Sequence, residues 1–277
     1  MTIPENFDWQ GHRGARGLLP ENTIPAFLKA LEYPIKTLEL DIAVTRDSQL
    51  VVSHEPWLSH HICSNPDGSP VTEQQEQKLN IFQLTYKEII QYDCGSRGNP
   101  RFAEQQPMKV SKPLLINVID TVEAHCRKTG RILPFYNIEI KSRPDWDQIY
   151  TPQVEIFAKL LIDQIKAAGI QERVCIQSFD VRALQAVRQL DPNLTTAFLI
   201  ENEDGFEKNM AQLSFIPTIY SPYYQLVDSN LVAAVHQQKM RLIPWTVNDT
   251  ASMQKLIRLG VDGIITDYPN YISLLEK

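Results

Sequence analysis

Short apolar segments alternate with helical patterns along most of the chain, and this alternation restricts the fold more than any other feature of the sequence. For example, Ile24, Phe27 and Leu31 fall on one face of a helix. Asn22 precedes that helix and is predicted to cap it. Strands joined by helical crossovers build parallel sheets, and the strand candidates here number eight. They are residues 7–11, 37–43, 133–140, 173–177, 195–199, 218–221, 241–246 and 263–266.

Eight strand–helix units are the number that closes a (β/α)8 barrel. The sequence therefore predicts an α/β fold, a TIM barrel formed by a single domain over residues 1–277. An open, doubly wound sheet is the alternative, because periodicity alone does not separate the two. The length of 277 residues and the hydrophobic fraction of 43% are sufficient for one barrel with a sizeable core.

The charge balance and the hydropathy pattern argue against several classes of protein. The 27 basic and 33 acidic residues give a net charge of −6. This disfavours nucleic acid as a partner, because a phosphate backbone requires a basic surface. No apolar run approaches the ~18 residues of a membrane-spanning helix, so no transmembrane segment is predicted. If Met1 replaces a removed signal peptide, the expected location is periplasmic or secreted, and otherwise it is cytoplasmic. No feature of the sequence specifies an oligomeric state.

Residues 50–54 follow the second strand candidate too closely for a parallel connection. A parallel return needs a crossover of about a dozen residues, so this segment is predicted to pair antiparallel with residues 37–43. A turn over residues 46–49, which are rich in turn formers, would pair Ala43 with Val52 and Asp41 with His54. Because cross-strand partners share a face, this register brings His54 beside Asp41.

Residues 55–112 interrupt the regular alternation of strands and helices. The segment contains several glycines and prolines and a polar run at 73–78, and only residues 79–90 show a helical pattern. Long irregular segments in compact domains are usually functional. We interpret this one as a small inserted subdomain after the second barrel strand, beside the barrel mouth. It contains Cys63 and Cys94, which could form a disulfide if the protein is exported, and the sequence leaves open whether they are bridged.

Three acidic residues occur within the second and third strand candidates, where charge is unexpected. Glu39 and Asp41 stand at positions i and i+2 of one strand and share a face, and Glu139 lies in the next barrel strand. In parallel barrels the catalytic groups project from the carboxyl ends of several strands. Three convergent carboxylates suit one hard divalent cation, Mg²⁺ or Ca²⁺. The alternative is that each carboxylate pairs with an arginine or lysine of the barrel.

Two histidines and two basic residues accompany these carboxylates at the predicted rim. His12 ends the first strand candidate, and His54 ends the predicted hairpin. An imidazole titrates near neutral pH, so the pair is predicted to act as general acid and general base. Arg13 and Lys141 are candidates for binding phosphate, and Lys141 is also a candidate partner for a carboxylate. The other histidines are expected to be structural: His60, His61, His125 and His236.

In their order and spacing, these motifs resemble the glycerophosphodiester phosphodiesterase family. The resemblance runs from residue 11 to residue 269, essentially the whole chain. The matching segments are Gly11-His12-Arg13-Gly14, Pro20-Glu21-Asn22-Thr23, Ala26-Phe27, Glu39-Leu40-Asp41, Thr45-Arg46-Asp47, Val51-Val52-Ser53-His54, Glu139-Ile140-Lys141, Gln177-Ser178-Phe179-Asp180, Pro244-Trp245-Thr246-Val247-Asn248 and Asp262-Gly263-Ile264-Ile265-Thr266-Asp267-Tyr268-Pro269. At Glu55 the chain departs from the family, which usually has aspartate after the second histidine.

The resemblance implies a phosphatidylinositol-phospholipase-C-like barrel with a small inserted domain. It implies hydrolysis of glycerophosphodiesters to glycerol 3-phosphate and an alcohol, with one divalent ion. It also implies roles for ten residues. The acid–base pair is His12 and His54, and the metal ligands are Glu39, Asp41 and Glu139. The substrate-binding residues are Arg13, Lys141, Gln177, Phe179 and Trp245.

Three other functions are compatible with part of this pattern. A phospholipase-D-like or lyase-type barrel acts on lysophospholipid or sphingolipid head groups, and it would favour a larger apolar cleft than the polar insertion suggests. A glycosidase also places two carboxylates on barrel strands, but it does not need paired histidines and a third carboxylate. A protein that only binds phosphorylated head groups would be expected to have lost a histidine or a metal ligand, and none is lost here.

Overall fold

Eight parallel strands surround one axis in the computed structural model, which describes residues 3–275. The strands in chain order are β1 (Asp8–Gly11), β2 (Thr37–Val44), β3 (Leu50–Val52), β4 (Phe135–Ile140), β5 (Val174–Ser178), β6 (Thr195–Ile200), β7 (Ile219–Pro222), β8 (Arg241–Leu242) and β9 (Gly263–Thr266). Around the barrel their order is β8-β7-β6-β5-β4-β2-β1-β9, and β3 pairs with β2. Every predicted strand position holds a strand, so the predicted TIM barrel is confirmed.

Backbone hydrogen bonds beyond the short strand β8 close the barrel between β7 and β9. The amide of Trp245 donates to the carbonyl of Pro222 at 3.1 Å. On the other side, the amide of Ile265 donates to Pro244 at 3.0 Å, and the amide of Val247 donates to Ile265 at 3.0 Å. The strand predicted over 241–246 ends early because Pro244 has no amide proton to donate. This ring of bonds distinguishes the closed barrel from the doubly wound sheet.

Helices cover the outside of the barrel. They are α1 (Ile24–Ala30), α2 (Glu73–Glu76), α3 (Tyr86–Ile89), α4 (Leu115–Thr129), α5 (Val154–Ala168), α6 (Val181–Leu190), α7 (Phe206–Met210), α8 (Ser229–Gln237) and α9 (Thr250–Leu259). Short 3-10 helices occupy Ile81–Gln83, Pro144–Trp146, Gln171–Arg173, Tyr224–Leu226 and Pro269–Leu274. Val122 of α4 and Phe157 of α5 belong to the same buried cluster as Ile138 of β4. Among residues 3–275, no helix combines the length and apolar character that crossing a bilayer demands.

The residue that caps α1 is Thr23, so the prediction for Asn22 is wrong. The hydroxyl of Thr23 accepts a hydrogen bond from the amide of Ala26 at 3.3 Å. Asn22 instead adopts a left-handed backbone with φ of 56°, which asparagine tolerates better than most residues. Its side chain turns into the barrel and donates to Oδ2 of Asp41 at 2.9 Å. The start of α1 thereby contributes to the functional site.

Strands β2 and β3 form the predicted antiparallel hairpin, but the predicted register is wrong by one residue. The observed pairs are Ile42 with Val52 and Ala43 with Val51. The amide of Thr45 donates to the carbonyl of Gln49, and Ser48 between them has a left-handed φ of 58°. This is a type I turn followed by a bulge residue, which shifts the pairing by one position. His54 therefore lies beyond the end of β3 and not opposite Asp41.

Residues 55–112 carry a hydrophobic cluster that is anchored on the hairpin. Leu58, Val71, Ile81 and Ile89 pack together with Val51 of β3. A disulfide joins Cys63 to Cys94. The interpretation of this segment as an inserted subdomain of a single-domain barrel stays a prediction.

The predicted helix over residues 79–90 is divided in two. Asn80 accepts a hydrogen bond from the amide of Phe82 and caps the 3-10 helix Ile81–Gln83. Thr85 and Glu88 then form a capping box that starts α3. Two capping residues within one helical pattern therefore produce two short helices.

Candidate active site

Nine of the ten predicted site residues line a single cavity of about 480 Å³ at the carboxyl ends of the barrel strands. They are His12, Arg13, Glu39, His54, Glu139, Lys141, Gln177, Phe179 and Trp245. The tenth, Asp41, is 1% exposed and lies among them through contacts with Asn22, Arg13 and Lys141. Residues that are distant in the sequence thus converge as expected for catalytic groups of a parallel barrel.

Sheet register brings the three predicted metal ligands together. Strand β2 pairs with β4 so that Asp41 lies opposite Glu139, and Glu39 lies two residues earlier on the same face of β2. One carboxylate oxygen from each of the three residues lies within 4.8 Å of the others. All three side chains are buried. Such a set of oxygen donors has the composition that Mg²⁺ or Ca²⁺ requires.

The electrostatics of this cluster favour a bound cation. Burial and the charge of Asp41, acting against the opposing charge of Lys141, together raise the pKa of Glu139 to about 7. Burial and the same neighbour also hold the pKa of Glu39 well above its ordinary value. Oδ1 of Asp41 is buried and accepts no hydrogen bond from residues 3–275. Carboxylates packed this closely repel one another, so the cluster needs protons or a cation, and a divalent ion fits its donors.

Two of the predicted substrate-binding residues contact the cluster directly. The amide of Gln177 donates to Oε1 of Glu39 at 2.7 Å, and the backbone amide of Arg13 donates to Oε2 at 2.9 Å. The guanidinium of Arg13 pairs with Glu21 at 2.7 Å and approaches Oδ2 of Asp41 at 3.2 Å. The structure therefore shows Gln177 and Arg13 orienting acidic groups at the wall of the cavity.

Lys141 neutralises part of the acidic charge at the cavity wall. Its Nζ lies 3.0 Å from Oε1 of Glu139 and 3.9 Å from Oδ1 of Asp41. Burial acts to lower the pKa of Lys141, but Glu139 and Asp41 together raise it above its ordinary value. Lys141 is therefore cationic at the place where a phosphate oxygen would approach the carboxylate cluster.

His12 is buried and held by a chain of charged groups. Its Nδ1 lies 2.7 Å from Oδ1 of Asp267, which also accepts hydrogen bonds from Arg16 and Asn248. Its Nε2 lies 3.8 Å from Oε2 of Glu39. Burial and the charge of Arg16, acting against the attraction of Asp267, together lower the pKa of His12 to about 4. Neutral His12 then donates from Nδ1 to Asp267, and its Nε2 is left without a proton.

His54 has a different environment. Its Nδ1 lies 2.8 Å from Oε1 of Glu55, and its side chain is 30% exposed. Partial burial lowers the pKa of His54, and the charges of Arg13 and Lys141 act in the same direction. The longer side chain of Glu55, which departs from the family pattern, therefore still reaches the histidine that it follows.

An aromatic corner forms the other wall of the cavity. The rings of Phe179 and Trp245 meet edge to face with centroids 5.4 Å apart. Nε1 of Trp245 donates to the carbonyl of Ser221 at 2.9 Å, which fixes the indole. Phe179 is 39% exposed. This corner presents an apolar surface to whatever occupies the cavity.

Sequence analysis did not assign four of the residues that support the site. Glu21 pairs with Arg13, Asn22 binds Asp41, Glu55 binds His54, and Asp267 binds His12. Each lies in or beside a motif that carries the resemblance, so its presence was visible. The side chain that each of the four residues contacts could not be inferred from the sequence, because only the folded barrel defines these contacts.

Comparisons with known proteins agree with this geometry. The family model described as "Glycerophosphoryl diester phosphodiesterase family" matches residues 12–271. A glycerophosphodiester phosphodiesterase of Caldanaerobacter subterraneus subsp. tengcongensis is 31% identical over 267 residues, which cover 96% of this chain and 96% of that protein.

Two solved structures resemble the chain over nearly its whole length. One is a proposed glycerophosphoryl diester phosphodiesterase of Silicibacter pomeroyi, with a TM-score of 0.86 and 26% identity over 97% of this chain and 92% of that one. Another is an Oleispira antarctica phosphodiesterase in complex with its product sn-glycerol-3-phosphate, with a TM-score of 0.76 over 99% of this chain and 97% of that one. At 20% identity the second likeness concerns the fold alone.

Proposed function

Because the chain belongs to the glycerophosphoryl diester phosphodiesterase family and is a glycerophosphodiester phosphodiesterase, we propose the route by which it acts. It hydrolyses glycerophosphodiesters to glycerol 3-phosphate and an alcohol, with one divalent cation and with His12 and His54 as the proton-transfer pair. The observation that carries this proposal is the convergence of both histidines with Glu39 and Glu139 in one cavity. The product named for the Oleispira antarctica structure is also the product proposed here.

Glu39, Asp41 and Glu139 are the residues that would hold the cation, which is Mg²⁺ or Ca²⁺ because all their donors are carboxylate oxygens. When bound, the ion would withdraw charge from a phosphoryl oxygen and make a nearby hydroxyl group more acidic. Gln177 and the amide of Arg13 keep Glu39 in position through the two hydrogen bonds to its carboxylate. Lys141 supplies positive charge for a non-bridging phosphate oxygen.

The two histidines divide the proton transfers. Each has its Nδ1 bound to a carboxylate, so Nε2 is the atom that exchanges protons with substrate. One histidine accepts the proton of the attacking oxygen, and the other donates a proton to the oxygen of the leaving alcohol. If the glycerol 2-hydroxyl attacks, a cyclic phosphate forms, and water then opens it with the two roles reversed. Direct attack by water gives the same products in one step.

The cavity suits a small, water-soluble diester better than a lipid. Charged or amide side chains provide most of its lining, and the aromatic corner of Phe179 and Trp245 is the main apolar part. This corner would cover the carbon skeleton of the bound substrate. A diester with long acyl chains would need a more extensive apolar surface than this wall offers.

A substrate panel tests the proposal. Glycerophosphocholine, glycerophosphoethanolamine and glycerophosphoinositol are incubated with protein and Mg²⁺ or Ca²⁺, and released glycerol 3-phosphate is measured. We expect product from at least one substrate, loss of activity in EDTA, and recovery when one of the two ions is restored. Activity that persists after treatment with EDTA would contradict the metal assignment. Release of a cyclic phosphate as the final product would contradict hydrolysis and favour a lyase.

A further inference from the structure

A second cavity, of about 690 Å³, adjoins the catalytic cavity on the side of residues 55–112. We call it the insertion groove. The side chains that matter for its chemistry are His60, His61, Arg97, Asn99 and Arg101. Arg101 lines both the insertion groove and the catalytic cavity, so the two spaces are neighbours. A substrate bound at the catalytic residues can therefore extend one of its arms into the groove.

The insertion groove is fixed to the catalytic side of the barrel. The side-chain amide of Gln105, which lines the groove, donates to the carbonyl of Arg16 at 2.7 Å. The guanidinium of Arg16 lies 4.7 Å from the ring of Phe102, another lining residue. Arg16 also binds Asp267, the partner of His12. The groove thus keeps a defined position relative to the proton-transfer residues.

The charge of the groove contrasts with that of the whole chain. The chain carries a net charge of −6, yet the described residues that line the groove include two arginines, two histidines and no acidic residue. Glu76 binds His60 at 2.6 Å but does not line the groove. Among the described residues, neither Arg97 nor Arg101 has an acidic partner, and exposed arginines of this kind create a local positive potential that attracts anions.

The two arginines are oriented before any ligand arrives. Nη1 of Arg97 donates to the carbonyls of His60 and Cys63 at 2.7 and 3.0 Å. The disulfide between Cys63 and Cys94 joins the two segments on either side of this contact. Nε of Arg101 is held by Oδ1 of Asn99 at 3.4 Å. The remaining guanidinium donors can then form the paired hydrogen bonds that phosphate and carboxylate groups accept.

We propose that the insertion groove binds an anionic group on the leaving alcohol, so that the enzyme prefers diesters whose alcohol carries its own phosphate or carboxylate. This inference rests on the proposed function, because it concerns the second arm of the same substrate. It identifies Arg97 and Arg101 as residues that determine specificity.

Two substrates that differ in this one respect test the inference. In glycerophosphoglycerol the leaving alcohol is neutral, whereas in bis(glycerophospho)glycerol it carries a second phosphate. The second substrate has two equivalent scissile ends, so statistics alone give it a kcat/KM ratio of about two over the first. We expect a further preference of about five- to tenfold, which is the effect of two exposed ion pairs. Glycerophosphoserine tests a carboxylate in place of the phosphate.

Substitutions separate the groove from other causes of this preference. The double variant Arg101→Gln, Arg97→Gln is expected to lower the ratio toward two, and 1 M salt is expected to do the same to the unmodified protein. Lys109→Gln removes one positive charge from an exposed position in the same segment outside the groove, and it should leave the ratio unchanged. The single variants Arg101→Gln and Arg97→Gln give the contribution of each side chain if the double variant folds poorly.

Each outcome has a separate meaning. A ratio near two in the unmodified protein, with glycerophosphoglycerol hydrolysed, overturns the inference and leaves the proposed function in place. A high ratio that the double variant retains shows that the anion binds elsewhere and also overturns it. Failure to hydrolyse either substrate, in a preparation that hydrolyses none of the panel, overturns the proposed function as well.

Discussion

His12 and His54 have the same proposed role in one cavity, yet their surroundings are opposite. His12 is 8% exposed, and its Nδ1 binds Asp267, which is 255 residues away in the sequence. His54 is half-buried, and its Nδ1 binds Glu55, the next residue. The closed barrel therefore holds the first histidine, whereas the second is held by its own loop.

The difference shows which contacts serve both folding and catalysis. Asp267 binds Arg16 and Asn248 as well as His12, so it links the beginning of the barrel to its end. Glu55 has a partly exposed side chain, and water can replace it beside His54. We expect that changes on the His12 side reduce stability and activity together, while changes on the His54 side affect activity alone.

The largest expected effect is common to both sides. His12→Ala and His54→Ala should each lower kcat by about 10²- to 10⁴-fold, because each removes a group that transfers a proton in the transition state. The measurement is the release of glycerol 3-phosphate at saturating substrate. His125→Ala, on α4 outside the cavity, is the matched control and should retain full activity. A loss of less than tenfold in either variant would contradict its place in the proton-transfer pair.

The second largest effect, a combined loss of stability and activity, should appear only when the contacts of His12 are changed. Asp267→Asn keeps the shape of the side chain but leaves Arg16 with only Glu21, 3.9 Å away, as a buried counter-charge, and it leaves Nδ1 of His12 without a carboxylate acceptor. Breaking a buried ion pair typically lowers the free energy of unfolding by about 3–5 kcal/mol, and the loss of orientation should lower kcat by at least about 10²-fold. Urea denaturation and the kinetic assay measure the two effects.

Asp145→Asn is the control for that substitution, because Asp145 pairs with Arg143 at an exposed position. It should change the free energy of unfolding by less than about 1 kcal/mol. Unchanged stability of Asp267→Asn would show that the His12 side is not held by the long-range network.

The comparison of the two histidines also predicts how the free energy of unfolding depends on pH, through the carboxylate of Asp267. Burial acts to raise the pKa of Asp267, but its contacts with His12 and Arg16, including the hydrogen bonds that both donate, hold it well below its ordinary value of 3.8. A carboxyl group with a lowered pKa in the folded state stabilises the fold above pH 3.8, and it loses this contribution as the pH falls through its folded pKa.

The difference in unfolding free energy between the unmodified protein and Asp267→Asn should therefore be constant near neutral pH, begin to shrink as the pH approaches 3.8, and continue to shrink below it. Urea denaturation of both proteins across this acid range measures it. A difference that already declines between pH 6 and pH 5 would show that the carboxylate of Asp267 is not the source of the stability.

Sequence patterns predicted the barrel and its acidic cluster because both depend on rules that the whole sheet obeys. Glu39 and Asp41 share a face in any strand, and parallel pairing places Glu139 beside them in the neighbouring strand. The hairpin register depends instead on a single left-handed residue, Ser48, and no periodicity reveals it. The error of one residue there placed His54 in the strand, opposite Asp41, whereas His54 lies in the loop beyond β3.

Contacts between side chains that are distant in the sequence could not be predicted from the sequence either. Asp267 is conspicuous as a charge at the end of the last strand, but its contact with His12 exists only when the first and last strands pair. Asn22 was interpreted as a helix cap because its local position suits one, and its bond to Asp41 requires the folded barrel. Local signals therefore predicted elements correctly and missed the side chains that those elements bring together.

The smallest effect is expected at Glu55. Glu55→Gln keeps an oxygen that accepts from Nδ1 of His54 but removes the charge, and water reaches this side chain. We expect kcat to fall by less than about tenfold, with a change in unfolding free energy below about 1 kcal/mol. Glu55→Asp, the residue that the family usually has, should retain more activity than Glu55→Gln because its charge remains. If Glu55→Gln instead cost as much activity and stability as Asp267→Asn, the two histidines would be supported equally, and the loop would be as essential to the site as the barrel closure.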